Sequence, residues 1–71
     1  MDVKVKIRFN ASKESFETYG GNRYLIYLPF EEDDESMNII VSMLSKKIGV
    51  PVNKIHYKDK DVMGNWIFQL E

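Results

Sequence analysis

The chain of 71 residues contains no cysteine, which removes a disulfide framework, a thiolate metal site and a cysteine nucleophile together. It also lacks any run near the roughly 20 apolar residues needed to cross a bilayer. Where a signal peptide would open on a continuous apolar stretch, the N-terminus alternates valine with lysine. These absences lead to the expectation of a cytoplasmic protein with no membrane partner. There is no internal repeat, low-complexity tract or linker, so residues 1–71 are expected to form one domain. What is present suits a small packed core: 44% of residues are hydrophobic and 13% aromatic, well above a disordered composition. A chain this short removes only about 60% of its unfolded surface from water, so its stability should be modest.

Charge is unevenly placed. The net charge is -1, but five of the eleven acids form the run Glu31-Glu32-Asp33-Asp34-Glu35, leaving six acids against ten cations elsewhere. Val3, Val5, Ile7 and Phe9 alternate with Lys4, Lys6 and Arg8, the period-two pattern of a strand with one buried and one solvated face. Ser15 to Tyr19 offers a short, irregular edge segment before Gly20-Gly21-Asn22 reverses the chain. Arg23 to Phe30 then reads as an interior strand, with Tyr24, Ile26, Leu28 and Phe30 on one face and Leu25 and Tyr27 on the other.

A helix is expected to begin near Glu35. Asp33, Asp34 and Ser36 offer capping oxygens there, and the acidic run lies where a helix macrodipole favours negative charge. Met37, Ile40, Val41, Leu44 and Ile48 make one apolar stripe. Gly49 can take the left-handed conformation that ends a helix, and Pro51 prevents continuation. Asn53 to Lys58 reads as a third strand with Ile55 and Tyr57 inward, and Gly64 to Leu70 as a fourth carrying Trp66, Phe68 and Leu70. The expected fold is α+β, a ββαββ two-layer sandwich in which one helix packs on one face of a four-stranded sheet.

Phe9-Asn10-Ala11-Ser12-Lys13 at the end of the first strand, Asn38 at the helix opening and Gly49-Val50-Pro51 at its exit resemble the YggU-like family. The members of that family are small α/β proteins with no settled molecular role. The spacing from Ser12 to Leu28 fits the family pattern, and the resemblance spans about residues 3 to 70. It implies the same sandwich and, around Ser12, Lys13 and Asn38, a polar cluster that is structural or forms a small pocket. The chain departs from the pattern at Glu31-Glu32 and Glu35, where the family has Pro-Pro and Gly, and at Lys58-Asp59-Lys60-Asp61, where it has Gly followed by Arg and Lys. A second resemblance is to the ubiquitin-like β-grasp, through strand order and Ile48-Gly49-Val50-Pro51. The ending Phe68-Gln69-Leu70-Glu71 lacks the Gly-Gly carboxylate of a conjugated modifier.

Catalytic signals are sparse. His56, the single histidine, falls on the polar face of the third strand with no nucleophile or orienting partner in view. Ser12 sits in no nucleophile elbow and reads as a turn residue. The acidic run does not alternate as a calcium loop does, and Gly20-Gly21 opens no helix, so it is no phosphate loop. No catalytic residue, metal site or cofactor is expected. The remaining feature is a basic face of Lys4, Lys6, Arg8, Arg23, Lys58 and Lys60. On these grounds the chain is expected to be a non-catalytic macromolecular interaction module, with a protein as the favoured partner. RNA bound at the basic face is the alternative, and a small-molecule enzyme using Ser12, Lys13 and Asn38 is a third reading.

Overall fold

The computed structural model describes residues 1–71. Five strands and one α-helix follow one another as β1 (Asp2–Arg8), β2 (Ser15–Thr18), β3 (Arg23–Tyr27), α1 (Ser36–Ile48), β4 (Ile55–Lys60) and β5 (Trp66–Leu70), with a single 3-10 turn at Val52–Lys54 ahead of β4. The sheet order is β2-β3-β1-β5-β4. β1 runs parallel to β3 and antiparallel to β5, while β2–β3 and β4–β5 are antiparallel hairpins. The expected α+β sandwich is present, with one correction: the sheet has five strands, and the order is βββαββ. Ser15–Thr18, expected to be an irregular edge, pairs residue for residue with β3 from Ser15↔Tyr27 to Thr18↔Tyr24. Gly20 and Gly21 supply the positive φ angles of the connecting turn, 99° and 55°.

β1 owes its central place to its alternation. Val3 and Val5 are completely buried beneath the helix, and their neighbours Lys4 and Lys6 necessarily point to the other side of the sheet. α1 carries the chain from β3 over β1 and β5 to the far edge. Its Ile40 and Leu44 are completely buried with Ile26, Leu28 and Phe68, each such side chain contributing about 1.5–3 kcal/mol of burial. The helix ends as expected at Gly49, in the left-handed conformation at φ 84°, where its N–H returns to the Ser45 carbonyl at 2.9 Å.

The helix entrance is built by Asp33 and Ser36. Ser36 Oγ accepts the Asp33 amide at 2.9 Å and donates to Asp33 Oδ1 at 3.4 Å, and the same carboxylate oxygen accepts the Glu35 amide at 2.9 Å. Ser36 is 1% exposed and the only buried polar residue. Its hydroxyl is thus fully engaged within its own turn.

Both sheet edges are poor templates for a further strand. β2 is four residues long. β4 is charged over its second half, Lys58 to Lys60, and its register against β5 slips between Tyr57 and Asp59, leaving Lys58 as a bulge. Short edges, charges and bulges each discourage edge-to-edge pairing.

Candidate functional site

With one helix and a five-stranded sheet, only one sheet face is covered. The opposite face is assembled by register: Lys4 of β1 lies beside Arg23 of β3 and Ile67 of β5, Lys6 beside Leu25, and Arg8 beside Tyr27. Glu17 and Ser15 of β2 extend the Leu25 and Tyr27 rows outward. Lys58 joins this face from the β4 bulge, its ammonium 3.2 Å from Asp2 Oδ2. Five of the six cations grouped from the sequence, Lys4, Lys6, Arg8, Arg23 and Lys58, therefore share one surface.

Lys60 does not share it, for a local reason. Strict alternation would put Lys58 and Lys60 on the same side, but the bulge shifts the parity so that Lys60 pairs with Trp66. Its ammonium stands 5.0 Å from the Trp66 ring centroid and 4.0 Å from Glu32. There it helps cover the aromatic cluster in which Trp66 meets Tyr57 and Phe9 at centroid distances of 5.7 and 6.5 Å.

Two concavities lie at opposite ends of the uncovered face. The larger, of about 640 Å³, is bounded by Lys4, Lys6, Arg23, Tyr19 and Asn22 from one side and by Asp61, Met63 and Asn65 from the β4–β5 turn. The smaller, of about 350 Å³, is bounded by Ser12, Lys13, Ser15, Glu17 and Tyr27. Asn38 borders neither. It is exposed on the helix, its amide donates to Glu35 Oε2 at 3.3 Å, and it lines a separate depression with Glu14, Ile39, Ser42, Met43 and Lys46. Ser12 and Lys13 are thus brought together, while Asn38 stands apart from them.

The turn motif has a structural job of its own. Asn10 takes φ 59°, a left-handed angle that asparagine tolerates better than most residues. The bend lets the Asn10 and Ala11 amides donate to the Phe30 and Leu28 carbonyls at 2.9 and 3.0 Å, which continues the β1–β3 pairing past the end of both strands.

Electrostatics divide the cations. Lys58 is paired with Asp2, and Lys4 stands 3.8 Å from Asp61. Lys6, Arg8 and Arg23 have no carboxylate within 4 Å. Lys4 and Arg23 are moreover direct cross-strand neighbours, an arrangement of like charges that weakens a sheet. Asp61 limits the repulsion from the turn side. Its carboxyl is held below the ordinary value of 3.8, chiefly by the amide N–H and side-chain amide of Asn65, with the Met63 amide and Lys4 adding to the effect. Tyr19, Asn22, Asp61 and Asn65 are the bordering residues that sequence reasoning did not single out. The Asp61-x-x-Gly64-Asn65 turn pattern was the available signal, since an aspartate that accepts amides two and four residues on is a recurrent turn device.

His56 is exposed and its Nε2 contacts the Glu71 carboxylate. No three His, Cys, Asp or Glu side chains converge to hold a metal ion, and no helix is long and apolar enough to cross a membrane. Compared with family models, curated proteins and solved structures, the chain finds no match in any of the three.

Proposed function

We propose that this protein is a non-catalytic interaction module that presents the uncovered face of its sheet to an anionic macromolecular partner. One observation supports the reading above the others: Lys6, Arg8 and Arg23 stand on that face without carboxylate partners, beside a Lys4–Arg23 juxtaposition that stability alone does not favour. Five of the eleven acids are gathered at Glu31 to Glu35, ahead of the helix, whereas Asp2, Glu17 and Asp61 border the uncovered face, so its attraction for an anion rests on the row of Lys6, Arg8 and Arg23. Membership of the YggU-like family is part of the proposal. It is supported by the Phe9 to Lys13 turn and the Gly49 helix exit.

Capture experiments test this. Tagged wild-type protein and the Lys6→Glu/Arg8→Glu variant are incubated with a lysate of the source organism, and recovered material is quantified with and without nuclease. The variant is expected to lose the wild-type partner while keeping its melting temperature. Lys60→Gln is expected to retain it, because Lys60 covers Trp66 on the other side of the sheet. Equal recovery by wild type and the charge-reversed variant would refute the assignment.

A further inference from the structure

Resting on that reading of the uncovered face, we propose that its partner is a single-stranded nucleic acid. The backbone would run along β1, with bases seated against Tyr19 and Tyr27. Three features of the geometry converge. Lys4, Lys6 and Arg8 alternate along one strand, so their stems repeat every two residues, about 6.8 Å apart. That repeat is close to the separation of successive phosphates in an extended strand. At one end of this row the larger concavity holds Tyr19 with Arg23. At the other, the smaller concavity holds Tyr27, the direct neighbour of Arg8. Each tyrosine is thus placed beside an arginine at an end of the cationic row, where a base can stack while its phosphate is neutralised.

The same features disfavour duplex. A rigid double helix presents its phosphates on a convex cylinder and hides its base faces, so neither tyrosine can be used. An acidic protein surface would satisfy the cations but gives the paired concavities no occupant.

The test is fluorescence anisotropy with labelled oligothymidine and oligouridine dodecamers, a labelled duplex, and a heparin oligosaccharide as a polyanion without bases. Four contacts from Lys4, Lys6, Arg8 and Arg23, at a slope of about 0.7 per phosphate, predict a roughly fifty-fold loss of single-strand affinity between about 50 and about 200 mM salt. Lys6→Gln/Arg8→Gln should reduce that loss to roughly seven-fold. Tyr27→Leu, which keeps an apolar side chain in the strand, should weaken single-strand binding at least about five-fold and leave heparin binding unchanged. Circular dichroism and Trp66 emission identical to wild type establish that each variant is folded.

Heparin binding that the Lys6/Arg8 variant abolishes, with no oligonucleotide binding, overturns the nucleic-acid proposal and leaves the anionic-partner reading standing. Absence of both overturns the two together. Duplex bound as tightly as single strand, or no effect of Tyr27→Leu, likewise overturns the single-strand proposal.

Discussion

Ser36→Ala should destabilise this protein more than any other single-atom deletion near the helix entrance. The Ser36 hydroxyl is buried, accepts the Asp33 amide at 2.9 Å and donates to the Asp33 carboxylate at 3.4 Å. Its loss removes both bonds and frees the carboxylate that also holds the Glu35 amide. Removing a buried hydroxyl and leaving the Asp33 amide without its partner costs about 1–2 kcal/mol. In a domain of this length each kcal/mol lowers Tm by roughly 4–8 °C. The companion variant is Asn38→Ala. Asn38 is exposed and bonds only Glu35, at 3.3 Å, and alanine is the better helix former, so its effect should stay within about 0.5 kcal/mol. Thermal melts followed by far-ultraviolet circular dichroism and Trp66 emission measure both. A Tm for Ser36→Ala within a degree or so of wild type, or a larger loss for Asn38→Ala, would refute this account of the helix entrance.

Other expectations follow from single observations. Phe68 is completely buried, so Phe68→Ala should cost about 3–5 kcal/mol. That is a large share of the roughly 4–10 kcal/mol available to a domain of this size, and denaturant titration should show a collapsed midpoint. Asn10→Gly should be nearly neutral while Asn10→Val costs about 1–2 kcal/mol, because φ 59° is open to glycine and strained for a β-branched residue; chemical denaturation distinguishes the two. Asp61 has a lowered folded-state pKa, so its contribution to stability is present above the ordinary value of 3.8 and lost as pH falls through the lower folded value. Asp61→Asn should therefore flatten the stability–pH curve below about pH 4, measured as Tm across an acid series.

Local pattern made the elements legible and left their pairing unread. Val3, Val5 and Ile7 alternate with charged residues because one side of β1 meets the helix and the other meets solvent, and that asymmetry is written directly into neighbouring residues. The helix stripe and its Gly49 stop are local in the same sense. β2 was underestimated because Phe16 is its only apolar residue, and its strand conformation comes from pairing with β3 rather than from its own propensity. The parallel contact of β1 with β3 is a long-range register that no local period encodes. In the candidate site, alternation puts Lys4, Lys6 and Arg8 on one side of β1, and cross-strand register sets Arg23, grouped with them from the sequence, beside Lys4. It misplaced Lys60, because a one-residue bulge at Lys58 reverses the side on which every later residue of β4 falls. Tyr19 and Asp61 belong to turns at opposite ends of the chain, and only the folded sheet brings them to the same concavity.

The most direct test of the central claim is a two-dimensional amide NMR titration of the isotope-labelled wild-type protein with the oligothymidine dodecamer and, separately, with the heparin oligosaccharide. Chemical-shift changes are expected at Lys4–Arg8, Tyr19, Arg23–Tyr27 and the Asp61–Ile67 segment, with α1 and Glu31–Glu35 unmoved. Changes centred on the helix or the acidic run, or no saturable change with either ligand, would contradict it.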